Sequence, residues 1–211
     1  MSNQRTAEWY EARLGRFTSS EIYKLMGTPK SKTETLTDTA KTFVYEKLAE
    51  LLTGKPSEIF GPALDWGIEH EPMAREWYER TTGNQVYDAD FVPFGRYSGG
   101  SPDGYVGEHG IVEFKCPFNS VNHVKYLTAT SPDDLPTEYY WQIQANLMFT
   151  GRGWAHFVSF DPRMKRKENG LFIMQIEAIK PEHELIREKI ELAAVMFNSI
   201  YEKLTGYAIT A

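Results

Sequence analysis

Residues 101–115 read Ser101-Pro102-Asp103-Gly104-Tyr105-Val106-Gly107-Glu108-His109-Gly110-Ile111-Val112-Glu113-Phe114-Lys115. The link Gly107 to Gly110 separates Val106 from the apolar run that starts at Ile111, which predicts a β-hairpin. Side chains alternate faces along a strand, so Ile111, Glu113 and Lys115 point one way and Val112, Phe114 and Cys116 the other. A carboxylate and an ammonium thus share one face. Antiparallel pairing through the turn brings Asp103 near the far end of the second strand, where it can meet Glu113 or Lys115.

On the N-terminal side the chain reads as helical. Thr18 with Glu21 has the form of a capping box and Gly27 offers a stop, so a short helix is expected from about Ser20 to Met26. Residues 27–36 contain Gly27-Thr28-Pro29 and then Lys30, Ser31, Lys32 and Thr33, the composition of a mobile basic loop. A longer helix is predicted from Thr37 to Thr53, closed by Gly54. Pro62 opens a third helical stretch ending near Gly83, which Pro72 should kink or restart. Beyond the hairpin a helix is expected over Thr137–Phe149, then β-rich runs at Trp154–Phe160 and Leu171–Ile179 around a polar link. Pro181 starts a terminal helix reaching about Leu204. This order points to an α/β or α+β sheet with helices on its faces.

With 211 residues, 41% of them apolar and 14% aromatic, the chain can bury a full core in one domain. The expected division is an N-terminal helical part over about 1–83, a catalytic sheet core over about 84–180, and a C-terminal helix over about 181–204. No apolar run approaches the roughly 18–20 residues needed to cross a bilayer, and Met1-Ser2-Asn3-Gln4-Arg5 lacks the apolar core of a secretion signal. No membrane association and a cytoplasmic location are therefore expected. The single Cys116 excludes an intrachain disulfide, and zinc-type Cys/His spacings are absent, so any metal is expected on oxygen ligands. A net charge of −6 argues against positive charge all round the protein, while leaving room for a locally basic channel.

Phosphodiester hydrolysis needs charge neutralisation at the phosphate, an activated water and a stabilised leaving oxygen, all of which a carboxylate-held divalent ion supplies. Asp103, Glu113 and the Phe114 carbonyl match the oxygen count that magnesium takes from a protein. Lys115 beside such an ion would position or help deprotonate the attacking water, with burial and the nearby cation lowering its pKa. The plain alternative is an exposed hairpin with an ordinary Glu and Lys pair. In the third helical stretch, Leu64, Ile68, Ala74 and Tyr78 recur at helical spacing and Glu71 falls within that stripe. A core-facing carboxylate needs a partner. Arg75, one turn on, can supply an i,i+4 ion pair; the other reading makes Glu71 a ligand of the same metal site.

Asp103 with Glu113-Phe114-Lys115 resembles the Asp…(Asp/Glu)-x-Lys signature of restriction-endonuclease-like nucleases. Its surroundings are more specific. Ser101-Pro102-Asp103-Gly104, Glu113-Phe114-Lys115-Cys116-Pro117-Phe118, Gln142-Ile143-Gln144 with Tyr139 upstream, and Asp161-Pro162-Arg163-Met164-Lys165-Arg166 are similar to the phage lambda exonuclease family, or YqaJ-type viral recombinases. Trp9, Arg13-Leu14-Gly15, Thr18-Ser19-Ser20-Glu21 and Gly67 through Glu71 to Ala74-Arg75 match too, so the resemblance spans Trp9 to Lys167.

The resemblance implies an α/β restriction-endonuclease-like (PD-(D/E)xK) core, a mixed central sheet flanked by helices. It implies a 5′→3′ exonuclease on double-stranded DNA ends, assembled as a homotrimer ring and working with a single-strand annealing protein in phage or prophage recombination. It makes Asp103, Glu113 and the Phe114 carbonyl ligands of Mg2+, with two ions expected and Mn2+ able to substitute. Lys115 becomes the catalytic lysine and Glu71 a further active-site carboxylate. Arg13, Thr18, Ser20 and Ser101 are placed at the 5′-phosphate or DNA, and Gln142 and Tyr139 along the active site. The family has an arginine where this chain has Val121, which implies either a weaker phosphate grip or a contact supplied by Asn119, His123 or Lys125. Asp88 and Asp90 are offset from an acidic position of the family and receive no role.

The run Arg163, Lys165, Arg166 and Lys167 reads as a solvated loop, a DNA-backbone contact or a contact with a neighbouring subunit. Trp9 reads as core packing or as a stacking surface for a DNA end. The loop carrying Lys30 and Lys32 reads as plain surface or as a strand guide. The five histidines share no spacing and are expected to be structural or exposed. Two competing functions stay in view: a structure-specific endonuclease of the same superfamily and a non-catalytic DNA-binding subunit.

Overall fold

The computed structural model describes residues 6–56 and 61–209; Met1 to Arg5, read above for a leader, lie outside them. In chain order the described elements are α1 (Ala7–Arg13), β1 (Phe17–Thr18), α2 (Asp38–Thr53), α3 (Pro62–Thr82), β2 (Val86–Tyr87), β3 (Val92–Phe94), β4 (Ser98–Gly100), β5 (Gly104–Val106) and β6 (Gly110–Lys115). There follow α4 (Ser120–Leu127), α5 (Thr137–Thr150), β7 (Trp154–Phe160), β8 (Leu171–Glu177) and α6 (Lys180–Thr205).

Local signals place most boundaries. The Thr37 side chain accepts the Ala40 amide at the start of α2, and Gly54 ends that helix at φ 66°, a conformation costly for residues with a Cβ. α3 opens on Pro62 and continues unbroken through Pro72, where a kink or restart was expected. Pro72 and Ile68 are both exposed, so water can serve the Ile68 carbonyl that the proline cannot. At Thr18 the capping box does not form. A 3-10 segment, Ser19–Leu25, follows instead, and the Glu21 carboxylate is taken by Lys24 and Lys47.

The central sheet has strand order β2-β5-β6-β7-β8 and is mixed, because β6 and β7 run parallel while the other pairs are antiparallel. The parallel step is bridged by α4 and α5, the long crossover that parallel pairing requires. The predicted hairpin is β5–β6, with Gly104 opposite Val112. A second sheet, β1-β4-β3, joins residues 17–18 to residues 98–100 and was not anticipated; neither was α4.

Helices cover both faces of the central sheet. Ala74 and Tyr78 of α3 pack on Val112, Phe114, Val158 and Phe160. On the opposite face Ile143 and Leu147 of α5 pack on Ile111 and Phe157. A third cluster joins Phe17, Ile22 and Leu25 to Phe43 of α2 and to Ile190 and Phe197 of α6. Each such side chain is fully or almost fully enclosed, and each Val, Leu, Ile or Phe among them contributes roughly 1.5–3 kcal/mol relative to exposure. The α3 stripe departs from expectation at its N-terminal end, since Leu64 and Ile68 are 41% and 38% exposed. α3 thus meets the sheet through its C-terminal half and overhangs it with the rest. Among the described residues, no helix is long and apolar enough to cross a membrane.

Candidate active site

The alternation read from the sequence holds: Val112 and Phe114 face α3, while Ile111 faces α5 together with Glu113 and Lys115. Asp103 sits one residue before β5, its amide donating to the Val112 carbonyl at 3.2 Å and its Oδ2 accepting the Phe114 N–H at 2.7 Å. The N–H and C=O of a strand residue leave on the same edge. The Phe114 carbonyl is therefore directed to the Asp103 side, beyond Gly104–Val112, the last pair of that ladder. Asp103, Glu113 and this carbonyl come together as the spacing suggested.

Glu113 is almost completely enclosed and well provided with donors. Its Oε1 accepts from Lys115 Nζ at 2.8 Å and Gln142 Nε2 at 2.5 Å, and its Oε2 from Asn146 Nδ2 at 3.3 Å. Lys115 Nζ also donates to Gln142 Oε1 at 3.1 Å and lies 4.7 Å above the Tyr139 ring. Gln142, Tyr139 and Asn146 all belong to α5. Asn146 is a partner that the sequence reading missed, although its i+4 spacing from Gln142 on a helix puts both amides on one face. Gln144, by contrast, points away and ties Glu177 and Ile179 to α5.

Glu71 comes from α3 on the other side of the sheet. With Lys115, Tyr139 and Phe114 it lines a cleft of about 320 Å³ at the end of β6. Arg75 does not pair with Glu71: its guanidinium binds Asp88 and the Val86 carbonyl and reaches Glu79. Enclosure, followed by the fields of Glu113 and Glu71, holds the Asp103 carboxyl well above its ordinary value. Burial raises Glu113 too, with Lys115 opposing. Burial would lower the Lys115 ammonium, yet Glu113 and Asp103 outweigh it and hold it above the ordinary lysine value. That reverses the expected lowering, because two carboxylates act on this lysine at close range. Crowded acids of this kind are what a divalent cation relieves.

Among the described residues no three His, Cys, Asp or Glu side chains are grouped closely enough to hold a metal by themselves. Two carboxylates and a strand-end carbonyl are nonetheless a donor set suited to a hard cation that keeps several waters.

Beside these acids lies a second group. Arg13 NH2 donates to Ser20 Oγ at 3.3 Å, Ser20 Oγ lies 3.3 Å from Thr18 Oγ1, and Trp9 Nε1 donates to Ser101 Oγ at 3.0 Å. The Arg13 guanidinium stacks 4.1 Å from the Trp9 ring. Burial pulls Arg13 down to about 10, with Glu21 and Glu50 opposing, so it remains charged at neutral pH. Ser101 is two residues from Asp103, which makes the two groups neighbours. Trp9 is half-buried rather than core, with its indole N–H bonded into this group and Arg13 over its ring.

The remaining candidates sort by contact. His123 is fully buried between Ser159 Oγ and the Asn169 carbonyl, so it cannot replace the arginine expected at Val121. Asn119 caps α4 by accepting the Val121 amide. Lys125 is exposed. His70 and His156 are held by Trp66 and Tyr78, and His109 is exposed. Arg163 grips Asp161 through two nitrogens, donates to the Pro117 and Phe118 carbonyls, and lies 4.2 Å from the Trp66 ring. It pins the loop after β6 to α3, whereas Lys165, Arg166 and Lys167 face solvent.

Known proteins give the arrangement its context. The structure of LHK-Exo in complex with dAMP is 31% identical, with 95% of this chain and 97% of that one covered at a TM-score of 0.82. An alkaline exonuclease, LHK-Exo from Laribacter hongkongensis, is matched at 29% identity over the same shares and with the same TM-score. A phage-related exonuclease from Haemophilus somnus 129PT, 18% identical, shares the fold, with 90% of this chain and 96% of that one covered at a TM-score of 0.77. No curated protein resembles the chain closely enough to count as a match. Residues 8–153, which include Arg13, Ser20, Glu71, Ser101, Asp103, Glu113, Lys115 and Gln142, match the YqaJ-like viral recombinase domain, and the chain belongs to that family.

Proposed function

We propose that this protein is a Mg2+-dependent 5′→3′ exonuclease that digests one strand of linear double-stranded DNA and leaves 3′ single-stranded overhangs. The observation that carries this reading is the convergence of Asp103, Glu113 and Lys115 at the end of β6, with Glu71 across the cleft and Arg13, Ser20 and Ser101 alongside. Likeness to LHK-Exo, an alkaline exonuclease, supports the reaction class. Asp103, Glu113 and the Phe114 carbonyl would hold the ion. When bound it neutralises phosphate charge and lowers the pKa of a coordinated water.

The chain's own residues do the rest. Gln142 and Asn146 orient the Glu113 carboxylate by donating to its two oxygens. Lys115, fixed by Glu113, Gln142 and the Tyr139 ring, presents an ammonium that donates hydrogen bonds to the attacking water or a phosphate oxygen, and its raised pKa favours that role over proton removal. Arg13 grips the 5′-phosphate of the DNA end with its forked donors, and the Ser20 and Ser101 hydroxyls donate to remaining oxygens. Assembly as a trimeric ring and work beside a single-strand annealing protein complete the proposal and rest on the family likeness.

End-labelled linear duplex and closed circular duplex, each with and without Mg2+, test it. Linear DNA alone should be consumed, from its 5′ ends, and only with metal. Cutting of the circle would replace this reading with an endonuclease. Intact linear DNA in the presence of metal would leave a non-catalytic binding protein.

A further inference from the structure

Beneath the Arg13 and Ser20 group, α2 buries an ionic network that the proposed chemistry does not use. Lys47 is 5% exposed. Its Nζ lies 2.7 Å from Glu21 Oε2 and 2.9 Å from Glu50 Oε1. Glu50 Oε2 accepts the Gly15 N–H at 3.2 Å. Glu21 is further held by Lys24, 2.8 Å away. Gly15 has φ +67°, and a Cβ there would meet Leu51 Cβ at 3.0 Å and the Lys47 carbonyl oxygen at 3.3 Å, so this turn is pressed onto α2.

The sequence positions make the network informative. Gly15 is two residues from Arg13, and Glu21 is next to Ser20. One ammonium therefore ties the turn bearing the guanidinium to the 3-10 segment bearing the hydroxyl. Stability alone is a weak account of such a group. Replacing a buried ion cluster by apolar side chains is often neutral or better, whereas removing one partner alone is strongly destabilising. A cluster held in this form fixes geometry, and gripping a phosphate with two parallel hydrogen bonds depends on geometry. Glu21 and Glu50 also favour the Arg13 charge across space without engaging its donors. Among the described residues Arg13 forms no ion pair, and its guanidinium hydrogen bond goes to Ser20 Oγ, so its fork stays open to a phosphate.

We propose that Lys47 is a positioning residue for recognition of the DNA-end phosphate, acting through Glu50 and Glu21 to set Arg13 against Ser20. The inference rests on the proposed phosphate role of Arg13. A displacement of the order of 1 Å in a binding group can cost roughly a hundredfold, so loss of this tie should lower the preference for phosphorylated ends by about tenfold or more.

The test compares digestion rates on 5′-phosphorylated and 5′-hydroxyl linear duplexes, with KM and kcat separated, for the full-length protein and for K47M, K47R and K47M/E21Q/E50Q. The triple variant removes the charges together, so it provides a folded protein should K47M alone unfold, and thermal melts establish which variants are folded. The phosphate-to-hydroxyl ratio should fall in K47M or the triple variant, mainly through KM, and return toward the starting value in K47R. A ratio that stays put while both rates fall in parallel means Lys47 is merely structural and overturns the proposal. Arg13→Ala separates the two claims. If it abolishes the preference while the Lys47 variants retain it, this inference alone fails. If the unaltered protein shows no preference, or Arg13→Ala retains it, the phosphate role fails and the inference with it.

Discussion

Replacing Arg163 with Ala should destabilise the protein in a manner that depends on pH. The Asp161 side chain is fully buried and held by Arg163 Nε and NH2 at 2.8 and 2.9 Å. Burial raises this carboxyl, but hydrogen bonds from the Arg163 side chain, from Ser120 and from the Arg163 amide prevail and bring it from 3.8 down to about 2. At roughly 1.4 kcal/mol per pKa unit the whole linkage is on the order of 2–3 kcal/mol, of which the guanidinium's share is about 1–2 kcal/mol. Losing the donors to the Pro117 and Phe118 carbonyls adds roughly 1 kcal/mol, for a total of about 2–3 kcal/mol. Because the folded pKa is depressed, the wild-type contribution is present above the unfolded value near 3.8 and lost as pH falls toward about 2. In the variant the guanidinium is lost, but the residue-163 amide and Ser120 still hold the Asp161 carboxylate, so its folded pKa moves up toward the unfolded one. The penalty is then full at neutral pH and eases only as pH falls from near 3.8 toward about 2, where the wild-type advantage is itself lost. Urea unfolding of both proteins at pH 7 and at about pH 3 should show a gap that narrows in acid. A gap below about 1 kcal/mol at pH 7, or one equal at both pH values, would refute the reasoning.

Three further outcomes are expected. Gly100→Ala places a methyl group against Asn146 Oδ1 and 2.7 Å from Ser19 Oγ; the overpacking should cost roughly 1–3 kcal/mol and, by shifting Asn146 from Glu113, reduce turnover, so an unchanged melting temperature contradicts the packing argument. Asp103→Asn or Lys115→Ala should lower turnover by orders of magnitude while gel shifts still detect DNA binding, and full activity in either would dissolve the site assignment. The Cys116 thiol is pushed up to about 12, by burial first and then by Glu71 and Asp103, so in chelator at pH 8 it should react with Ellman's reagent far more slowly than a small free thiol. Labelling at the small-thiol rate would contradict that environment.

Signals confined to a few consecutive residues were legible in the sequence. Thr37 and Gly54 bracket α2, Pro62 and Gly83 bracket α3, and the hairpin carries its own turn; each is local chemistry. The sheet formed by β1, β4 and β3 was not legible, because strands of two or three residues have no measurable alternation and gain their partners from far along the chain. Thr18 and Glu21 have the form of a capping box, but Lys47 and Lys24 compete for the same carboxylate from α2 and from within the 3-10 segment. Leu64 and Ile68 fit the helical stripe, yet α3 overhangs the sheet at that end and leaves them exposed. In the site, Asp103, Glu113 and Lys115 could be read because a strand period brings them together. Asn146 carried only its i+4 spacing from Gln142, and Lys47, a lysine among glutamates, looks ordinary until its neighbours are known.

The sheet that joins β1 to β4 has a bearing on how the molecule matures. Asp103 and Phe114 are 11 positions apart, whereas Trp9 and Ser101 are separated by 92. A hairpin forms within roughly 1–10 μs, while distant parallel pairing must first close a long loop and waits on the entropy of doing so. The acidic hairpin is therefore assembled early, and Arg13 and Ser20, seven positions apart, meet Ser101 only when the two ends of that loop dock. A chain caught between these stages carries its acids without its grip on a DNA end. Pulse-labelled amide exchange during refolding would order the two events, with protection in residues 104–115 preceding protection at residues 17–18 and 98–100.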